Sequence, residues 1–153
     1  MTISDAVDPV VAGRPDAADF VRRFDEAWST SSADALVEVL ADDVVLRQPL
    51  MPEIVGKAAA HAAFTRLFRF FPGLAVTVHG WAAREDVVFI DFTLRGEIGG
   101  RPLSWPVVDR FVVRDGLAAE RVSYFDGARL VLEVLKRPRA WRGFIESTLR
   151  AKR

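Results

Sequence analysis

The chain has 153 residues, of which 50% are hydrophobic, 10% aromatic and 27% charged; this is the size and composition of one globular domain and excludes disordered and fibrous classes. Lys plus Arg and Asp plus Glu both number 21, so the formal net charge is zero and the basic footprint on which nucleic-acid binding depends is missing. With no cysteine, the chain holds no disulfide, thiolate nucleophile, iron–sulfur cluster or zinc ribbon.

Residues 1–14 have no clear period and contain Pro9 and Gly13, so they are expected to be a flexible lead-in to a single domain over residues 15–153. From Pro15 the spacing predicts a helix. Asp16 and Asp19 lie near its start, where the helix dipole favours acids, and Phe20, Phe24 and Trp28 recur at i, i+4 and i+8 on one face. Ser29-Thr30-Ser31-Ser32 ends it, and Ser31 or Ser32 is placed to cap a second short helix carrying Leu36, Val39 and Leu40. Val44 to Gln48 reads as a short strand closed by Pro49 and Pro52. Gly56 to Phe71 is a third helix with Ala60, Phe64, Leu67 and Phe68 along one side, stopped by Pro72-Gly73.

Four strand-rich runs follow: Leu74 to Ala82, Asp86 to Arg95, Pro102 to Arg114 and Leu117 to Asp126. Their connections, at Arg84-Glu85-Asp86, Gly96 to Gly100 and Asp115-Gly116, are short and imply antiparallel neighbours, because parallel strands need a long crossover. A last helix is expected from about Gly127 to Arg150, broken or kinked at Pro138. Helices, then a meander of strands, then a helix make an α+β fold. A strongly twisted antiparallel sheet of four to six strands curls, and helices over its concave face leave an apolar pocket between the layers.

No apolar run approaches the roughly 20 residues of a membrane span. Met1 to Pro15 has no basic segment ahead of an apolar stretch, so no secretory signal is expected and the expected location is the cytoplasm. Only His61 and His79 supply imidazoles; no metal site and no cofactor are expected.

The element order and several spaced motifs resemble the nuclear-transport-factor-2-like superfamily, in particular its SnoaL-like polyketide cyclases, ketosteroid isomerases and limonene-epoxide hydrolases. The resemblance covers roughly residues 16–130. It is carried by Phe20-Val21-Arg22-Arg23-Phe24, Ala33-Asp34-Ala35-Leu36-Val37, Leu40-Ala41-Asp42-Asp43-Val44, Val55-Gly56-Lys57 and Phe71-Pro72-Gly73-Leu74. Asp109-Arg110-Phe111-Val112-Val113-Arg114-Asp115-Gly116 leading into Tyr124-Phe125-Asp126 resembles the closing hairpin of the SnoaL-like proteins. The resemblance implies a cone-shaped sheet wrapped around a pocket, covered by three N-terminal helices and a C-terminal helix. It further implies that Asp109 matches the isomerases' neutral hydrogen-bond-donor acid. Their base falls at Gln48, which cannot abstract a proton, and their donor tyrosine at about Phe24. Of the epoxide hydrolases' Asp–Arg–Asp set, Asp91 matches one acid, while the arginine falls at Phe89 and the second acid at about Ser123. In the SnoaL-like cyclases a pocket acid serves an aldol-type intermediate, a role open to Asp109 or Asp91.

Alternation along strands decides which side chains meet in the pocket. With the connection centred near Gly99, Phe89, Asp91 and Thr93 share a face with Trp105, Val107 and Asp109. Asp91 and Asp109 are then diagonal neighbours about 7–8 Å apart, two acids among Val, Phe and Trp, of which one becomes a hydrogen-bond donor near neutral pH. The candidate catalytic residues are Asp109 as acid or oxyanion donor, Asp91 as base or water-positioner and Gln48 as an orienting hydrogen-bonder. Candidate substrate contacts from the helices are Phe24, Trp28, Phe64 and Phe68. Those from the sheet side are Phe89, Thr93, Trp105, Val107, Ser123 and Phe125. The plainer alternatives are a register slip of one residue that turns Asp91 outward, a structural pairing of Asp91 with Arg95, Arg110 or Arg121, and a turn-capping Gln48. His79 and His61 read as sheet and helix-surface residues.

Two functions fit. One is a cofactor-independent isomerase, cyclase or hydratase working by acid–base chemistry on a small apolar, oxygen-bearing molecule. The other is a non-catalytic binding module for a lipophilic ligand or a partner. A homodimer is expected through the sheet's outer face, assigned to Val88, Ile90, Phe92, Val108 and Val112. The basic run Lys136, Arg137, Arg139, Arg142, Arg150, Lys152 and Arg153 is expected to be a solvated helix face, with Trp141 and Phe144 marking a lid, a dimer contact or a membrane-attracted surface.

Overall fold

The computed structural model describes residues 15–137. Helix α1 (Pro15–Ser29) turns Phe20, Phe24 and Trp28 into the core, as the apolar stripe at helical spacing requires. Helix α2 (Ala33–Val37) is one short turn, and strand β1 (Leu40–Arg47) starts directly after it, so Leu40 belongs to the sheet and not to the helix. After a loop and the two-residue strand β2 (Ile54–Val55) comes α3 (Lys57–Phe70). Strands β3 (Ala75–Arg84), β4 (Val87–Ile98), β5 (Arg101–Arg114) and β6 (Leu117–Tyr124) form the meander, and α4 (Gly127–Leu135) closes the described chain. The expected lead-in over 1–14, the extension of the last helix past Pro138, and Arg139, Trp141, Arg142, Phe144, Arg150, Lys152 and Arg153 lie outside the described residues.

The six strands form one curved, unclosed sheet in the order β2-β1-β6-β5-β4-β3. It is mixed: the meander is antiparallel, but β1 runs parallel to β6, with Leu46 beside Arg121. The long stretch containing α3 makes that parallel pairing affordable, since it supplies the crossover. Rings from both layers fill the core, with Phe24 5.6 Å from both Phe92 and Phe111 and Phe20 5.1 Å from Phe111.

Loop parity sets the register and corrects the face assigned to β4. Gly99 and Gly100 have φ values of 58° and 78°, and together make a two-residue turn of the I′ kind, which needs positive φ at both positions. A two-residue loop pairs even-numbered residues of β4 with odd-numbered residues of β5. Ile90 therefore lies opposite Asp109, Phe92 opposite Val107 and Asp91 opposite Val108, one residue away from the register expected for a loop centred on Gly99. Val88, Ile90 and Phe92 are buried in the core and so are not part of an outer dimer face. Phe89, Asp91 and Thr93 point the other way, where Thr93 bonds His79 at 2.7 Å.

A second irregularity aims β6. Val113 pairs with Ala118 but Val112 pairs with Glu120, leaving Ala119 as an extra residue. Beyond this bulge, Arg121 and Ser123 face inward opposite Phe111 and Asp109, whereas an unbulged hairpin would have turned Glu120 and Val122 inward. Glu120 instead joins an outer network with Arg47 at 2.7 Å and Arg110 at 2.9 Å. Arg137, expected on a solvated face, is folded back: it sits 3.6 Å from Glu133 and donates to the carbonyls of Arg101 and Pro102.

Candidate active site

A cavity of about 190 Å³ lies between the concave face of the sheet and the helices. Trp28 of α1, Phe64 and Leu67 of α3, Phe92 of β4, and Trp105 and Val107 of β5 are among the residues of its wall. At its mouth the loop after β1, with Leu50 and Met51, meets Leu130 and Val134 of α4. Gly127 permits that meeting: a β-carbon there would stand 3.2 Å from a side-chain carbon of Leu50 and 3.3 Å from one of Pro49. Asp126 caps α4 by accepting from the Arg129 amide at 2.9 Å.

Five polar side chains among the described residues, Gln48, Arg66, Asp109, Arg121 and Ser123, line this cavity. Asp109 and Arg121 are only 2% and 7% exposed. Arg121 Nη2 donates to Gln48 Oε1 at 2.7 Å, and its guanidinium lies 5.7 Å from the centre of the Phe64 ring. Arg121 Nε approaches Asp109 Oδ2 at 3.9 Å, too far for a hydrogen bond. Asp109 Oδ1 and Arg121 Nε are buried without a hydrogen-bond partner. Burial pushes the Asp109 carboxyl above its ordinary value, while the charge of Arg121 and a hydrogen bond from Ser123 pull it back. The result is a carboxyl that burial biases toward its neutral form, next to a fixed cation, at the polar end of the cavity.

Of the residues expected here, Asp109, Gln48, Trp28, Phe64, Trp105, Val107, Ser123 and Phe125 do line the cavity. Phe24 and Phe68 pack behind it, each against Trp28. Asp91, Phe89 and Thr93 lie on the opposite face of the sheet, so among the described residues no second carboxylate lines the cavity with Asp109. Arg121 was not among the expected site residues. The available signal was its spacing of two from Ser123, which puts both on one face of β6.

A family model described as SnoaL-like domain matches residues 21–121. Among solved structures, an LEH-like epoxide hydrolase from M. tuberculosis aligns with TM-score 0.66 and 24% identity over 80% of this chain and 91% of that one. A protein from Jannaschia sp. assigned to the SnoaL-like polyketide cyclases aligns with TM-score 0.67 and 22% identity over 85% and 94%. A protein from Catenulispora acidiphila with a ketosteroid isomerase-like fold aligns with TM-score 0.67 and 19% identity over 71% and 86%. At these identities the likeness is one of fold. The comparison with curated proteins returns no match.

Proposed function

The chain belongs to the SnoaL-like domain family, and on that premise we propose that it is a cofactor-independent enzyme of isomerase, cyclase or hydratase type acting on a small apolar, oxygen-bearing molecule. One observation carries this reading: a carboxyl group with an unpartnered oxygen, buried at the polar end of an apolar cavity. Burying such a group costs stability, and a passive apolar binder gains nothing from that cost.

In this reading Asp109 moves the proton. Its carboxylate takes a proton from a carbon next to the substrate's carbonyl, the C–H electron pair moves onto the carbonyl oxygen, and the proton returns at a second atom. Atoms and electrons balance without an outside oxidant or reductant. Ser123 steadies the carboxyl and Gln48 holds Arg121 in place. A second reading, a binding module of the same fold, draws support from Gln48 standing where the isomerase resemblance puts the base.

Turnover of a panel of apolar ketones, epoxides and aldol precursors separates the two. Asp109→Asn is expected to lower kcat about 10²–10⁴-fold with little change in KM, and Asp91→Asn, on the outer face, to leave both unchanged. Conversion at equal rates by wild type and Asp109→Asn removes Asp109 from the chemistry. Tight binding without conversion of any compound favours the binding module.

A further inference from the structure

Arg121 is a permanent cation in a place where cations are costly. Its guanidinium cannot shed its proton, and the residue is 7% exposed. Its neighbours hold it without neutralising it: Gln48 takes one Nη2 hydrogen bond at 2.7 Å, and Phe64 lies beneath it. The nearest carboxylate oxygen, on Asp109, is 3.9 Å from Nε. A pair built for stability would close into short, bidentate hydrogen bonds; this one leaves Asp109 Oδ1 and Arg121 Nε both unpartnered. Burial also drives Asp109 toward its neutral form, and whenever it is neutral the charge on Arg121 has no counter-ion among the described residues lining the cavity.

The rest of the cavity defines the body of a ligand. Apart from Gln48, Arg66, Asp109, Arg121 and Ser123, its walls are aromatic and aliphatic, and its volume is about 190 Å³; an apolar cavity of about 150 Å³ holds a benzene ring. There is room for one ring and a short polar arm.

We propose that the cavity takes a single-ring compound whose planar anionic oxygen head, a carboxylate or the enolate of a 1,3-dicarbonyl, is anchored by Arg121. The head accepts from Arg121 Nε–H and from the Asp109 hydroxyl, which uses both unpartnered atoms. For an enolisable substrate the charges close: the proton leaving carbon resides on Asp109, and the enolate formed stays against the guanidinium. The proposal rests on the cavity and chemistry of the preceding section but adds a separable claim about the ligand's charge and size.

The test is calorimetric titration of phenylacetate, with phenylacetamide as its neutral counterpart and 2-naphthylacetate as a larger acid. It uses wild type, Arg121→Met, Arg121→Lys and Asp109→Asn, each checked for folding by circular dichroism. Wild type is expected to bind phenylacetate about tenfold to a hundredfold more tightly than the amide, the worth of a hydrogen bond to a charged group. Arg121→Met is expected to lose that preference, Arg121→Lys to recover part of it, and Asp109→Asn to keep most of it. The larger acid is expected to bind more weakly than phenylacetate. Equal binding of acid and amide by wild type, an unchanged preference in Arg121→Met, or tighter binding of the larger acid overturns the proposal. The wild-type comparison decides alone if Arg121→Met does not fold. Since no turnover enters, failure here leaves the proton-transfer role of Asp109 standing, and full activity of Asp109→Asn leaves this proposal standing.

Discussion

Phe111 and Arg121 face each other across β5 and β6, although the hairpin that joins these strands begins one residue out of that register. Ala119 absorbs the difference. Its place in the ladder turns Glu120 outward, into contact with Arg47 and Arg110, and turns Arg121 inward beside Asp109. Two adjacent residues of opposite charge are thus divided between the solvent face and the cavity, and the electrostatics of the site follow from that division.

The Asp109–Arg121 pair is expected to be coupled in stability. Asp109→Leu removes the carboxylate nearest to a buried cation, an error that typically costs about 3–5 kcal/mol. Because the two groups stand 3.9 Å apart without a hydrogen bond, the loss is expected near the lower end, about 3 kcal/mol. Adding Arg121→Met should recover much of it. Urea unfolding of the double-mutant cycle measures the coupling, and simply additive losses would show the two groups to be independent.

Acid titration offers a second check. The folded pKa of Asp109 is raised from 3.8, mainly by burial, so the folded state holds this proton more tightly than the unfolded chain does. The stability Asp109 contributes is therefore fully present below its unfolded pKa and is lost as pH rises through the folded pKa. Asp109→Asn has no such titration. The unfolding free energy of wild type minus that of Asp109→Asn should fall as pH rises from about 4 and level off above the folded pKa. A difference that grows with pH would mean that the charge of Arg121 outweighs burial.

At the cavity mouth, Gly127→Ala is expected to act on ligand exchange more than on folding. The new β-carbon would meet Leu50 and Pro49 carbons at 3.2 and 3.3 Å, so the loop must give by a few tenths of an ångström. Alanine also favours the helix over glycine by roughly 0.5–1 kcal/mol, which offsets the crowding. Stopped-flow release of a bound ligand should quicken while the unfolding midpoint moves little. Unchanged release would mean the loop and α4 do not restrain the ligand.

Assembly is expected through the outer face of the sheet, where Val108 of the residues the sequence suggested is joined by Phe89 and Tyr124 in place of the buried Val88, Ile90 and Phe92. Phe89, Val108 and Tyr124 are 41%, 38% and 55% exposed. Val108 stands beside Tyr124 on one flank and Asp91 on the other, with Phe89 two residues along β4 and so diagonal to Val108, which gives the face apolar side chains for a two-fold contact. Light scattering at micromolar concentration should give the mass of a dimer, and Val108→Lys combined with Phe89→Glu the mass of a monomer. A monomeric wild type would refute this.

The sequence by itself determined the elements and their order, all but the two-residue strand β2. Helical spacing of Phe20, Phe24 and Trp28, the proline and glycine stops, and the short connections between Val- and Phe-rich runs are local signals, and they suffice for an α+β fold with helices over a curled sheet. They also suffice to mark Asp109, whose neighbours at period two, Val107 and Phe111, are buried. Only the tertiary structure decided which face each strand turns inward. A strand's side chains alternate, so one residue more or less in a loop or ladder reverses every assignment beyond it. The two-residue turn at Gly99-Gly100 sent Asp91 outward, and the extra residue at Ala119 brought Arg121 inward. Each count is a property of a strand pairing, which the alternation within one strand does not carry, and together they turned an expected pair of acids into an acid and a cation.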